Sequence, residues 1–435
     1  MDEIKAPPST GARLLRAFIA ILFGIFLAIF TLEIALRLLG LAPPAAAVGN
    51  FWQAPNPDYG WYHIANAAGP SYDRFGEYNV WVTINSHGLR EAEIPYEKPE
   101  GVYRILLLGD SFAEGMRTEL AQTAGKVLEA QLNEMAGAPR FQVISAGVGA
   151  WGSDQELLWL RQEGVRYDPD LVLVLFFTAN DFMNNSEALE VSNVGGIYKP
   201  FFSLHDGELV LKYHPFDPEA PEIKARQPQT EQSEAPAPIA APLAGWRGPL
   251  HRLSALYRFL APRLQEGPPG LANRLIELGL IEPGRPQQQA ALGPSYIPVA
   301  YGVFANPRDA AWDDAVALTA ALLGQIDAES REMGAEMAVV IVSSQEQVAP
   351  AAWQTVLQRF PAMQPRAWDL ERPNRDLAEM LNRAGIPFLD LLPVFQARAG
   401  EGRRLYLPRD GHWTVEGERL VGETMAAFVR ELVAP

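Results

Sequence analysis

The chain of 435 residues contains no cysteine. Disulfide bonds, thiolate metal sites and cysteine nucleophiles are therefore excluded. Basic residues are also scarce, because 36 Lys and Arg stand against 52 Asp and Glu, which gives a formal net charge of -16. A chain with this much negative charge does not attract nucleic acid electrostatically. We therefore expect no nucleic-acid partner.

A long apolar stretch lies near the amino terminus. Every residue from Ala17 to Leu32 is apolar except Thr31, and the stretch continues to Leu36 with one carboxylate near its end. About 20 mostly apolar residues are enough to cross a bilayer. We therefore predict a membrane-spanning helix; a cleaved signal peptide ending near Ala45-Ala46-Ala47 is the alternative.

The charges that flank this stretch predict its orientation. Lys5, Arg13 and Arg16 precede it, whereas only Arg37 follows closely. Basic residues favour the cytoplasmic side of a membrane. We expect a single-pass protein of the bacterial inner membrane, with its body on the periplasmic or extracellular side.

The body shows apolar runs that alternate with helical patterns. A short strand at 81–85 and a turn at 86–88 come first. Short apolar runs then alternate with segments whose apolar residues recur at helical spacing. This alternation is typical of a doubly wound, mainly parallel α/β sheet. The predicted strands of this sheet are 103–108, 141–145, 171–177, 337–342 and 387–391, and the predicted helices are 118–136, 154–164, 309–333, 373–384 and 414–432.

Proline is concentrated in one segment. Residues 215–300 hold 15 of the 36 prolines, which predicts a partly disordered insertion with an amphipathic helix near 250–260. The predicted organisation is therefore a tail and anchor at 1–41, a lead-in segment at 42–100, a catalytic domain in two parts at 101–214 and 301–435, and the insertion at 215–300.

A serine stands where the first long strand ends. The run Arg104-Ile-Leu-Leu-Leu108 leads into Gly109-Asp110-Ser111, and a helix-like segment follows. Reactive groups of an α/β sheet lie at the carboxyl ends of its strands, so Ser111 can act as a nucleophile if a base reaches it. The alternative is that Ser111 only caps the following helix.

His412 is the candidate base. It lies in the polar loop before the last predicted helix, two residues after Asp410, and a turn can fold that carboxylate back onto the imidazole. The other five histidines are less well placed, because two lie in the lead-in segment and three lie in or beside the insertion.

Two further loops follow predicted strands. Asn180, after the third strand, can donate a hydrogen bond to an oxyanion, and Asp181 can fix that loop, although both residue types favour ordinary turns. Glycines at 147, 149 and 152 follow the second strand and let backbone N–H groups approach a substrate.

Together these segments resemble the SGNH hydrolase superfamily, also called GDSL-type esterases and lipases, and most closely its bacterial membrane-anchored members. Gly109-Asp110-Ser111 is similar to the family's first block, Asn180-Asp181 to its third and Asp410 with His412 to its last, while Asn85-Ser86-x-Gly88-Leu89-Arg90 precedes them. The resemblance covers roughly residues 80–200 and 305–432 and implies a three-layer, flavodoxin-like sandwich.

The chain departs from the family pattern at three positions. Thr178 replaces the leading glycine of the third block, and the last block reads Asp-x-His instead of Asp-x-x-His. The glycine of the second block aligns with Ala150, although Gly149 or Gly152 is the alternative equivalent.

The resemblance implies acyl transfer without a metal or organic cofactor. Ser111 would be the nucleophile, His412 the base and Asp410 the orienting acid. The N–H groups of Ser111 and Ala150 and the amide of Asn180 would hold the oxyanion, supported by Gly109, Asp110 and Asp181.

We expect a serine ester hydrolase of the cell envelope, with an ester or O-acylated carbohydrate as substrate. The alternatives are an O-acyltransferase that modifies an exopolysaccharide, a phospholipid-directed lipase and a non-catalytic envelope scaffold. Protein partners are not predicted.

Overall fold

The computed structural model describes residues 10–45, 52–134, 140–227 and 241–433. The strands in these ranges are β1 Gln53–Asn56, β2 Gly60–His63, β3 Ala68–Tyr72, β4 Asn79–Thr83, β5 Val102–Gly109, β6 Arg140–Ser145, β7 Leu171–Phe177, β8 Phe201–His205, β9 Glu208–Lys212, β10 Glu336–Val342 and β11 Phe388–Asp390.

Helices separate these strands and form the two termini of the described chain. They are α1 Thr10–Leu38, α2 Ser111–Glu114, α3 Ala124–Asn133, α4 Ser153–Gln162, α5 Asp181–Asn185, α6 Glu187–Val194, α7 Pro221–Lys224, α8 Arg247–Leu253, α9 Ala255–Gln265, α10 Pro269–Glu277, α11 Arg285–Leu292, α12 Ala310–Glu332, α13 Gln345–Val348, α14 Pro350–Arg359, α15 Arg372–Ala384, α16 Leu392–Gly400 and α17 Val415–Leu432.

Five parallel strands form the central sheet in the order β11-β10-β7-β5-β6. The first strand along the chain, β5, therefore lies between the second, β6, and the third, β7. The strand order reverses there, and ligands of such sheets bind in the crevice beyond the carboxyl ends of the strands at this reversal. Ser111 follows β5 and Asn180 follows β7, so the fold brings both to this crevice.

Both faces of the sheet are covered, which explains why its strands are apolar throughout. Leu106 and Leu108 pack in one buried cluster with residues of α4 and α12. Ile105 and Leu107 point the other way and pack with residues of α3 and α17. The doubly wound, three-layer α/β fold predicted from the sequence is confirmed.

The described residues divide into two compact units. One contains the sheet and comprises 49–71, 78–233 and 292–435; the other comprises 1–48, 72–77 and 234–291. Three two-stranded sheets supplement the parallel sheet: the antiparallel pairs β1–β2 and β8–β9, and the pair β3–β4.

The smaller unit is built around the carboxyl end of α1. The Glu33 carboxylate accepts the N–H groups of Ala255 and Leu256 at 2.8 and 2.9 Å and the Ser254 hydroxyl at 2.9 Å. The first N–H groups of a helix have no partner within it, so this carboxylate satisfies the start of α9. Arg37, one turn further along α1, donates to Glu33 at 2.7 Å.

The described parts of the predicted insertion contain helices. Helices α7 to α11 lie within it, and the amphipathic segment near 250–260 is divided between α8 and α9 at Ser254, which caps α9 through the N–H of Tyr257. Residues 228–240 of the predicted insertion lie outside the described residues.

A buried carboxylate joins the last helix to α3. Glu418 of α17 accepts the N–H of Ala124, the first residue of α3, at 2.8 Å. Burial, partly offset by that bond and by Arg90, raises the pKa of Glu418 from 4.5 to about 7.

This raised pKa predicts a pH-dependent stability. Between pH 4.5 and about 7 the folded state holds a proton on Glu418 that the unfolded state has lost. The free energy of unfolding therefore falls as pH rises across this window, by at most roughly 1.4 kcal/mol per pH unit, and this effect is constant above pH 7. Glu418→Gln, which resembles the protonated side chain, should lack it. Denaturant unfolding of both proteins at pH 5 and 7.5 measures the difference; equal pH dependences would contradict the assignment.

Candidate active site

Three side chains from opposite ends of the chain form one hydrogen-bonded series. The Ser111 Oγ lies 2.7 Å from His412 Nε2, and His412 Nδ1 lies 2.6 Å from Asp410 Oδ1. An Nδ1–H that donates to the carboxylate leaves Nε2 as an acceptor for the serine hydroxyl. The structure therefore brings Ser111, His412 and Asp410 together in the arrangement of a serine hydrolase.

The turn that presents Ser111 depends on glycine. Gly109 ends β5 with φ +150°, and a Cβ there would meet the Leu175 carbonyl oxygen at 2.9 Å. The next residue, Asp110, accepts the N–H of Phe112 at 2.9 Å and so caps α2. The cap is thus Asp110 and not Ser111, whose hydroxyl remains directed at His412.

A second basic side chain contacts the Asp410 carboxylate. Arg117 Nε lies 3.2 Å from Asp410 Oδ1. Burial opposes ionisation, but the hydrogen bond and charge of His412, together with Arg117, hold the pKa of Asp410 well below its usual range. Asp410 is therefore ionised at neutral pH and can accept the His412 Nδ1–H. Arg117 was not predicted from the sequence, because it is 293 residues from Asp410.

The loop after β6 lies against the end of β5 and lines the same cavity as Ser111 through Gly149 and Ala150. The Val148 N–H donates to the Gly109 carbonyl at 3.1 Å, which holds this loop against the end of β5. A Cβ on Gly147 would meet the Glu114 nitrogen at 2.3 Å, so only glycine allows this approach. Ala150 then adopts the left-handed region with φ +63°.

The hydrogen bonds of the loop separate the three candidate donors. The Gly152 N–H donates to Gln155 Oε1 at 3.3 Å, and the Gly149 N–H is bound by the Glu114 carboxylate. Within the described residues no acceptor is found for the N–H of Ala150 or of Ser111. Donors without a partner beside the nucleophile are what an oxyanion requires.

Asn180 is held near the nucleophile by a buried carboxylate. Its Nδ2 donates to Asp110 Oδ2 at 3.1 Å, and the Ser111 hydroxyl lies 3.4 Å from the same oxygen. An amide has two N–H groups, so one remains for another acceptor. Asp181 accepts the N–H of Phe177 at 2.7 Å and so fixes the start of this loop.

A second acid–base pair, also not predicted, supports the site from behind. His63 Nε2 lies 2.8 Å from Glu114 Oε1, and His63 Nδ1 lies 2.8 Å from the Gly88 carbonyl. Burial would raise the pKa of Glu114, but the bond and charge of His63 hold it below its usual value. The only sequence signal was the spacing of Glu114, three residues after Ser111 and hence on the same side of a helical turn.

The site opens into a cavity of about 420 Å³ that combines aromatic and polar walls. Asn180 is not among the residues that line it. The lining residues are Trp52, Gln53, Trp61, Ser71, Tyr78, Ser111, Glu114, Arg117, Gly149, Ala150 and His412. In the part of the chain that the structure describes, no group of His, Asp and Glu is arranged to hold a metal ion.

Comparison with known proteins gives one family match. Residues 305–435 match the family described as "SGNH hydrolase-like domain, acetyltransferase AlgX". No curated protein matches the chain.

Solved structures give only distant likenesses. TesA is 11% identical with a TM-score of 0.33, over 76% of this chain and 99% of its own. The acetyl xylan esterase AlAXEase is 9% identical with a TM-score of 0.34, over 75% and 99%. A catalytic mutant of the acetylxylan esterase Axe2 from Geobacillus stearothermophilus is 8% identical with a TM-score of 0.34, over 77% and 95%.

The Asp410 contact predicts a large kinetic effect. Asp410→Asn should lower kcat by about 10⁴, because the imidazole loses the acceptor that fixes its tautomer. Hydrolysis of p-nitrophenyl acetate by the full-length chain in detergent measures it, with the exposed acid variant Glu401→Gln as the control. A fully active Asn variant beside an inactive His412→Ala would identify a Ser-His dyad instead.

Proposed function

We propose that the chain, whose residues 305–435 match an SGNH hydrolase-like domain, is a serine-dependent enzyme that cleaves O-acyl esters of carbohydrate in the cell envelope. One observation carries the proposal: the Asp410–His412–Ser111 series ends beside two backbone N–H groups that have no acceptor within the described residues. The nucleophile, the base and the residues of both backbone donors then line one cavity, and the orienting acid is bound to the base.

The geometry supports the following reaction. Ser111 Oγ attacks the ester carbonyl carbon while His412 Nε2 takes its proton, and Asp410 stabilises the imidazolium that forms. The N–H groups of Ser111 and Ala150 bind the oxyanion, with the second Asn180 N–H as a third donor. The imidazolium then protonates the leaving alkoxide, and water, deprotonated by His412, releases the acyl group from Ser111.

The walls of the site support a carbohydrate substrate. Trp52, Trp61 and Tyr78 give the cavity flat aromatic faces, while Gln53 and Arg117 offer hydrogen-bond donors. A second cavity of about 590 Å³ shares Gln53 and Trp61 with the first. This space can hold sugar residues that extend beyond the ester group.

Acyl transfer to a sugar hydroxyl is the second candidate function. The matched family is described as an acetyltransferase, and the same acyl-serine serves both reactions. A sugar hydroxyl that takes the place of water would be deprotonated by His412 in the same way. The outcome depends on which acceptor reaches the acyl-serine.

The proposal predicts that Ser111→Ala abolishes activity and preserves the fold. Among the described residues, the Oγ is hydrogen-bonded only to His412 and Asp110. Hydrolysis of p-nitrophenyl acetate should fall by at least about 10⁴, and thermal unfolding should be nearly unchanged. A folded variant that retains substantial activity would show that Ser111 is not the nucleophile.

Product analysis separates hydrolysis from transfer. The full-length enzyme is incubated with an isotopically labelled acetyl donor and an unacetylated polysaccharide, and the label is followed by mass spectrometry. Free labelled acetate identifies a hydrolase, and labelled glycan identifies a transferase. Ser111→Ala should form neither; no product with acetylated glycans or donors would remove the carbohydrate assignment.

We further propose that α1 is a retained anchor with the body outside the cytoplasm. The segment Arg13–Leu38 has a mean hydropathy of 2.6 and is long enough to cross a membrane. Cleavage near Ala47 would remove Glu33 and leave the first N–H groups of α9 without their acceptor. These contacts favour retention over processing.

Retention predicts that the chain isolated from membranes keeps its amino-terminal residues and resists alkaline extraction. Protease applied to intact spheroplasts should degrade the body. A soluble form that begins near Ala47 would contradict retention, and complete protection of the body would contradict the orientation. A cytoplasmic marker protein serves as the control for spheroplast integrity.

A further inference from the structure

The smaller compact unit contains a cavity that the proposed chemistry does not use. Its volume is about 620 Å³, and Pro43 and Ala45, which directly follow the membrane helix, form part of its wall. The charged side chains that line it are Arg74, Arg247, Arg252, Arg258 and Glu282, and His251 lies among them. Four guanidinium groups thus face one carboxylate, in a chain whose net charge is -16.

Arg258 is fixed in this wall by carbonyl groups and forms no ion pair within the described residues, although the nearby charge of Glu33 acts on it. It is 9% exposed, and its Nε donates to the Pro43 carbonyl at 2.6 Å while Nη1 donates to the His251 carbonyl at 2.8 Å. Carbonyl groups orient a guanidinium but do not neutralise it. A nearly buried cation is costly unless an anion compensates it.

Two further arginines are available to an anion. Arg74 and Arg252 are exposed, and neither forms an ion pair with any described residue. Arg247 Nη1 lies 3.3 Å from Glu282 Oε1, and the Glu282 side chain is largely exposed to solvent. Tyr72 and Tyr257 add hydroxyl groups to the same wall.

The residues around the cavity have the character of a membrane surface. Arg37, in the last turn of α1, donates to the Leu253 carbonyl at the end of α8. Leu253 and Trp246 on either end of α8 are 74% and 61% exposed, and Leu39 beyond α1 is 68% exposed. Tryptophan and basic side chains are typical of the boundary between hydrocarbon and head groups.

We propose that this cavity binds the head group of an anionic phospholipid, with the acyl chains along α1. The proposal rests on α1 spanning the membrane and is independent of the esterase site. The arginines supply bidentate donors to the phosphate, and the exposed apolar residues beside the cavity accept the upper part of the chains. A free anion would use the arginines but would leave this apolar rim without a role.

The test uses the full-length chain in a non-ionic detergent. Native mass spectrometry and thermal unfolding are measured against dioctanoyl phosphatidylglycerol, dioctanoyl phosphatidylcholine and inorganic phosphate. We expect phosphatidylglycerol to bind most tightly and to raise Tm. The double variant Arg74→Gln/Arg252→Gln should bind it roughly thirty-fold more weakly, since each surface arginine near a head group contributes about fivefold.

A matched variant controls for the loss of charge. Arg274→Gln/Arg285→Gln removes two exposed cations from the same unit outside the cavity, and it should bind phosphatidylglycerol like the wild type. Wild-type circular dichroism and cooperative thermal unfolding without added lipid show that the variants are folded. Equal binding of both lipids, unchanged binding by the Arg74/Arg252 variant, or full competition by phosphate or an acidic oligosaccharide at equal concentration would overturn the proposal.

Discussion

The candidate site depends on one buried carboxylate, Asp110, at the point where the strand order reverses. One of its oxygens accepts the N–H of Phe112 and the other accepts the Asn180 amide, so it joins the ends of β5 and β7. Burial raises its pKa, and these hydrogen bonds to the ionised form oppose that shift. Burial also raises the pKa values of Asp181 and Glu156, and the nearby charge of Asp110 raises them further. Burying these carboxylates costs free energy. In return, Asp110 fixes the loop of Ser111 relative to the loop of Asn180.

Because Asp110 holds the loops of Ser111 and Asn180 together, distant parts of the chain can supply the rest of the site. The final loop contributes His412 and Asp410, Arg117 holds that loop through Asp410, and β2 holds the glycine loop through the Trp61 indole, which donates to the Gly149 carbonyl at 3.0 Å. Ala150 occupies a left-handed conformation that an alanine adopts only at a cost. Its N–H has no acceptor among the described residues, which leaves it available to the oxyanion of the proposed reaction.

The sequence predicts those features that follow from local pattern. Residues 171–177 form the strand that their uninterrupted apolar character predicts, because helices cover both of its faces. The residues that follow the strands, such as Ser111 and Asn180, could be named because parallel strands end at one edge. By contrast, the contacts of Arg117 with Asp410 and of His63 with Glu114 join residues 293 and 51 positions apart, and no local pattern carries them. The prolines of the insertion indicated disorder by composition, yet several occupy first-turn positions, such as Pro221 and Pro269, where a helix needs no N–H.

The structural role of Glu33, near the end of the apolar segment, also depends on residues far away in the sequence and has no local pattern. Glu33 reads as an interruption of a membrane span, since a carboxylate in hydrocarbon is costly. In the folded unit it accepts two N–H groups and a hydroxyl from the start of α9, and it pairs with Arg37. Its charge is therefore compensated near the carboxyl end of α1. The helix that carries the hydrophobic signal is therefore also the framework for the helices of the insertion. A helix that served only as a tether would need no such contacts, and their number indicates that this unit folds around α1.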